Sequence, residues 1–360
     1  MLLKLLQSRR VLFPIVLLGL SIFLAGCSGR AFGATSWPGI STDDELVYVA
    51  FEDAVYAIEL SNGNLRWRFP VEADRAVSFY APPEPAPNGL IIVGGYDNLV
   101  YALNSNGNEV WRYEGAEGRI VGAPAAVDGL VLVPSADGSL YALGLETGNL
   151  VWRFDTEKPI WATPRIEGDR VYVGSLDHHV YALDLETGAL VWKHDLGVSI
   201  TGTPTIADGL LLVGSFDDQV VALDIETGKP QWSLDTQGWV WGSPVIIDGK
   251  AYFGDIGGTF YALTLEDQKM LWSTQPDGPI SAAPVIIDDA VYFLTDDGTV
   301  YAKEAGTGNP IWNTSIGGRL LSDPVVFEGN LIVATMEAET LLVSLRLDTS
   351  AQTWSFAPEK

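Results

Sequence analysis

Three histidines, one cysteine and 46 carboxylates are the material from which this 360-residue chain could assemble catalysis. Their spacing argues against it. His178 and His179 are adjacent, so in a strand or turn they point apart and cannot converge on one metal ion. The pairs Asp128-Gly129, Asp137-Gly138, Asp208-Gly209, Asp248-Gly249 and Asp297-Gly298 are turn formers, and no complete calcium loop runs through them. The chain has no Gly-x-Ser-x-Gly, His-Glu-x-x-His, P-loop or Gly-x-Gly-x-x-Gly. A single cysteine excludes a disulfide framework and a cysteine zinc cluster. Lys and Arg number 21, so the formal net charge is −25, which excludes nucleic acid and anionic lipid headgroups as partners. With 47% hydrophobic residues the chain is nonetheless globular. No catalytic, cofactor-binding or metal-ligating residue is assigned, and none of these groups is expected.

The cysteine has another use. Lys4, Arg9 and Arg10 precede a 14-residue apolar run from Val11 to Leu24, suited to a signal-peptide core and too short to span a bilayer. The run ends in Leu24-Ala25-Gly26-Cys27, which resembles the bacterial lipoprotein box. That resemblance implies cleavage after residue 26 and acylation of Cys27 by fatty chains such as palmitate. More than one acyl chain satisfies the two-signal condition for stable anchoring. Removal of residues 1–26 takes three basic groups away, leaving 18 against 46 acidic ones and a formal −28. Residues 27–37 then form a lipidated cysteine and a short tether, with an extracytoplasmic body held at the cell or outer membrane.

What positions any site in that body is a repeat. Eight tryptophans recur at Trp67, Trp111, Trp152, Trp192, Trp232, Trp272, Trp312 and Trp354, with gaps of 40–44 residues. Ten residues before nearly every one is a small residue: Ala57, Ala142, Ala182, Ala222, Ala262, Ala302 and Ser344, with Ala102 nine before Trp111. Further upstream come Pro38, Pro82, Pro124, Pro164, Pro204, Pro244, Pro284 and Pro324. Each copy reads as four short strands separated by turn residues. Runs such as Leu130–Val133 and Leu210–Val213 are continuously apolar, which predicts strands buried on both faces. No helical pattern interrupts the series. The expectation is all-β: one eight-bladed β-propeller of four-stranded antiparallel blades over residues 38–356, with no room for a second domain.

The stretches Tyr181-Ala-Leu-Asp-Leu-Glu-Thr-Gly-Ala-Leu-Val-Trp192 and Val221-Ala-Leu-Asp-Ile-Glu-Thr-Gly-Lys-Pro-Gln-Trp232 resemble the tryptophan-docking motif of the quinoprotein-type, or PQQ-like, propeller repeat. In such a motif each tryptophan lies across the gap between blades, stacked on the glycine turn of the next. Gln268 and Ser350 replace that glycine, so the sixth and eighth junctions are expected to be the weaker ones. Quinoprotein dehydrogenases of this fold bind pyrroloquinoline quinone with calcium and place adjacent cysteines against the cofactor. They are much longer, and this chain lacks both their insertions and a second cysteine. Among lipid-anchored members the chain is similar to the lipoproteins that assist outer-membrane β-barrel assembly. The resemblance therefore implies a non-catalytic scaffold that binds protein partners in the envelope. A quinone-binding dehydrogenase and an envelope ligand or stress sensor are the alternatives.

The connections from one blade's last strand to the next blade's first carry Trp37, Trp161, Trp239 and Trp241, together with Phe79 and Tyr80 and the basic residues Arg75, Arg119, Lys158 and Arg319. An aromatic and basic rim on an acidic body is a candidate partner surface. The alternative is that these aromatics fill the channel mouth as core. Arg68, Arg112, Arg153 and Lys193 follow the first four docking tryptophans and form a one-sided basic stripe, read as solubilising charge with a docking surface as the alternative.

Overall fold

The computed structural model describes residues 37–72 and 77–358. The leader, Cys27, the rest of the tether and Arg75 lie outside the described residues. Thirty-two strands form eight four-stranded sheets, each made of four consecutive strands paired in sequence order. The fourth blade is representative: Arg165–Glu167, Arg170–Gly174, His179–Asp184 and Leu190–Asp195, all antiparallel. No blade borrows a strand, so the ring closes by docking alone.

The registers explain the repeat. Each docking tryptophan pairs directly with its small residue, as Ala182 does with Trp192 and Ser344 with Trp354. A β-bulge follows that small residue in every blade, absorbing one residue of the last strand. The innermost strands place Ser41, Glu84, Ala125, Arg165, Thr205, Val245, Val285 and Val325 at one level. By that register the residue equivalent to Pro124 is Ile40 in the first copy and Pro83 in the second, not Pro38 and Pro82.

The core lies between blades. Val47 and Val49 pack toward the eighth blade with Ile332 and Trp354. Their strand neighbours Leu46, Tyr48 and Ala50 pack toward the second blade with Trp67 and Ile91. A strand whose alternate residues serve two interfaces must be apolar throughout, which accounts for the continuous hydrophobic runs.

The tryptophans lock the outside. Gly63, Gly107, Gly148, Gly188, Gly228 and Gly308 hold φ of +67 to +77°, and a methyl placed on any of them would come within 2.4–2.7 Å of the preceding blade's indole. Only glycine gives that conformation and that approach at once. Seven indole N–H groups donate to a carbonyl of the next blade's docking turn at 2.7–3.0 Å, among them Trp192 to Ile225 and Trp354 to Leu60. The last of these closes the ring. A buried tryptophan hides roughly 150–250 Å². At ~25 cal/mol/Å² this is worth about 4–6 kcal/mol before entropy is counted.

The two substituted turns differ from each other. Ser350 takes φ +59°, donates its N–H to Arg346 as the glycines do to their counterparts, and leaves the Trp312 bond to Leu347 intact at 2.7 Å. Gln268 also takes a left-handed φ, +52°. Its side-chain amide donates to the Leu265 carbonyl at 2.9 Å, the acceptor an indole uses elsewhere. Trp232 then has no indole partner among the described residues. The loosened junction is the one between the fifth and sixth blades; the Ser350 turn keeps its bonds, against expectation.

Candidate functional site

The blade-to-blade connections end four residues before the inner-strand level in a rung that includes Trp37, Val121, Trp161, Thr201, Trp241, Ser281 and Leu321. Two residues further in, a second rung includes Gly39, Pro82, Ala123, Thr163, Thr203, Ser243 and Asp323. Together they enclose a cavity of about 160 Å³ at the channel mouth. Trp37 meets Trp241 edge-on at 5.5 Å, so two of its walls are indoles nearly at right angles. Trp161 remains 37% exposed.

Inner side chains here brace neighbouring blades instead of repeating one motif. Thr163 Oγ1 accepts from Ala123 N–H at 3.1 Å, and Asp323 Oδ1 accepts from Ala283 N–H at 2.6 Å. Thr205 Oγ1 donates to the Pro244 carbonyl at 2.7 Å, and Ser322 Oγ donates to that of Pro38 across the ring closure. Glu84 Oε1 accepts from Ala126 N–H at 3.2 Å. Burial pushes the Glu84 carboxyl up to about 7, with that hydrogen bond opposing. Asp323 keeps open surface in the lumen, yet the protein around it raises its carboxyl above the usual range. Thr201 Oγ1 is buried and has no partner among the described residues.

The residues singled out from sequence separate into groups. Trp37, Trp161 and Trp241 share the cavity. Trp239, 41% exposed, stacks on Phe216 at 4.8 Å, and Phe216 in turn touches Trp241 at 5.5 Å. Tyr80 meets Tyr96 edge-on at 4.8 Å, with the Arg119 guanidinium over Tyr96 at 5.4 Å. Lys158 and Arg319 are exposed and stand apart, Arg319 facing Asp296 at 4.0 Å. Phe79 is a correction: it has no exposed surface and packs against Phe69 and Tyr101 between the first two blades, so it offers nothing to a partner. The basic stripe is also more structural than expected. Arg68, Arg112 and Arg153 lie 5.4–5.8 Å over Tyr56, Tyr101 and Tyr141, the tyrosines paired with them across the strands.

Asp323, Thr201, Phe216 and Glu84 carry no motif that singles them out in sequence. Asp323 leaves one weaker signal: it is the one charge at a pre-proline position otherwise held by Ala123, Thr163, Thr203, Ser243 and Ala283. Among the described residues no three His, Cys, Asp or Glu side chains are grouped to hold a metal ion.

The family profile described as PQQ_2, outer membrane protein assembly factor BamB, matches residues 29–135, 51–175, 136–240, 176–285 and 282–360. The crystal structure of BamB from Moraxella catarrhalis superposes with a TM-score of 0.69 at 20% identity, covering 82% of this chain and 90% of that one. The computationally designed Ika8 protein superposes with a TM-score of 0.72 at 17% identity, covering 89% and 96%. At such identities these likenesses speak for the fold alone. Comparison with curated proteins finds no match.

Proposed function

The chain belongs to the family of outer membrane protein assembly factor BamB, and from that premise we propose that it works as a lipid-anchored, non-catalytic scaffold binding protein partners in the cell envelope. The observation that carries this reading is the channel-mouth face, where a rigid ring presents Trp161 and Trp239 at 37% and 41% exposure on a strongly acidic body. Partly exposed tryptophans on a preorganised frame are what interfaces use as anchors. The quinone of related dehydrogenases does not suit these residues. That quinone is a tricarboxylate, and among the described residues the lining holds no lysine or arginine to pair with it. The lining residues also supply a single carboxylate, too little for a calcium ion.

Crosslinking in intact cells, followed by purification and mass spectrometry, tests the scaffold. The expected result is a set of integral envelope proteins joined to the wild-type chain. Their yield should fall at least about tenfold with Trp161→Ala and Trp239→Ala together, at unchanged protein level. Cys27→Ser should release the chain from the membrane fraction. Dye-linked alcohol oxidation by the purified protein supplied with quinone and calcium, without envelope partners, would overturn the reading.

A further inference from the structure

We infer that the channel-mouth cavity is a binding site for one organic monovalent cation, a primary ammonium or a guanidinium head. Three features converge on it. Among the described residues Asp323 is the only ionisable one lining the cavity, with no lysine, arginine or histidine beside it. Its Oδ1 is held in place by the Ala283 N–H, which leaves Oδ2 open to a ligand. The indoles of Trp37, Trp161 and Trp241 supply electron-rich surface, the ring type best suited to attract a cation.

Size and charge narrow the ligand further. About 160 Å³ accommodates a head of roughly six heavy atoms, such as butylammonium or ethylguanidinium. An anion would meet Asp323 and the negative faces of the indoles. A neutral apolar guest would strip water from a carboxylate and return no hydrogen bond. A divalent metal ion would find one carboxylate. Arg165, on the inner strand below, makes no ion pair with Asp323 among the described residues and is not part of the lining. The net charge of −25 attracts cations toward the body as a whole.

The same head group can arrive on a lysine or arginine side chain of a protein segment or as a free amine. The site itself does not depend on the scaffold role: crosslinking can fail while the cation still binds. Titration calorimetry and saturation-transfer NMR on the full chain, with n-butylammonium and ethylguanidinium, form the test. Butanol and butyrate serve as the neutral and anionic comparators. Both cations should bind and both comparators should not. Asp323→Asn, which keeps an acceptor for Ala283, should weaken the cations at least about tenfold with an unchanged melting temperature. Equal binding of butanol, full binding by Asp323→Asn, or no cation binding at all would each overturn the site. A pentapeptide with a central lysine, compared with its norleucine analogue and with butylammonium, separates the sources. Tighter binding of the lysine peptide assigns the head to a protein segment; its exclusion while butylammonium binds assigns a free amine.

Discussion

The outer girdle and the channel mouth are built by opposite rules. Around the girdle one solution is repeated: an indole, a small paired residue, a bulge and a left-handed turn, with seven of eight indole bonds formed to the next blade. At the mouth, equivalent positions hold Trp161, Thr201, Trp241, Ser281 and Leu321, and the rung beneath them changes from Thr163 to Asp323. Repetition outside means that every junction faces the same task of holding two blades together. Variation inside means that the mouth positions are not all bound by that task. Stability resides in the girdle, and individuality, with whatever the molecule recognises, in the mouth.

The largest effect should come from the girdle. Trp192→Ala removes an indole together with its 3.0 Å bond to Ile225 and should cost roughly 3–5 kcal/mol by denaturant titration. A loss under about 1 kcal/mol would break the comparison at once. Gly228→Ala tests the partner of the same contact. Its methyl would lie 2.4 Å from Trp192 Cε3 on a backbone at φ +68°, and the expected loss is about 2–4 kcal/mol. The same change at Gln268, already a non-glycine at φ +52°, should cost under about 1 kcal/mol.

The channel has its own signature in pH. Glu84 titrates near 7 in the fold because burial disfavours its charge, against an ordinary value of 4.5. The folded state therefore binds this proton more tightly than the unfolded chain. The resulting stability is fully present below about 4.5 and is lost as pH rises through 7, roughly 1–3 kcal/mol in all. Glu84→Gln should remove this share of the slope; a slope unchanged in the variant would assign it to other raised carboxyls such as Asp323. A smaller gain is expected from Gln268→Gly. It relieves the left-handed strain and frees the Leu265 carbonyl for Trp232, so stability should rise by about 0.5–1 kcal/mol in thermal melts. A loss would show that the glutamine amide bonds outweigh an indole bond.

The same division decides how much of the molecule is legible in its amino-acid sequence. Eight copies of one spacing make the girdle legible down to the pairing of Ala182 with Trp192, because a docking ring forces the same residue types to recur. The difference between Gln268 and Ser350 is not legible. Both break the motif equally, but only the glutamine side chain is long enough to reach back to the acceptor carbonyl. At the mouth, the tryptophans are visible as extra aromatics, while their grouping is not. Connection lengths do not say that Trp37 meets Trp241 from opposite ends of more than 200 residues of chain, or that Phe79 turns inward. Asp323 can be found only by asking which copy breaks the small-residue pattern that precedes its proline.

A contrast between two tryptophans decides most about the mouth. Trp161 resembles a docking tryptophan in size, so a mouth acting as a plug would make Trp161→Ala costly. Its surroundings argue otherwise: it is 37% exposed and lines a cavity rather than a packed interface, whereas Trp152, nine residues earlier, is 8% exposed and bonded to Leu185 at 3.0 Å. Loss of apolar burial scales with area removed from water, and no buried hydrogen bond is broken. Trp161→Ala should therefore cost about 1–3 kcal/mol, clearly less than the roughly 3–5 kcal/mol lost with Trp152→Ala in the same titration. Equal losses would make the mouth a second core and turn its aromatics from a recognition surface into a seal.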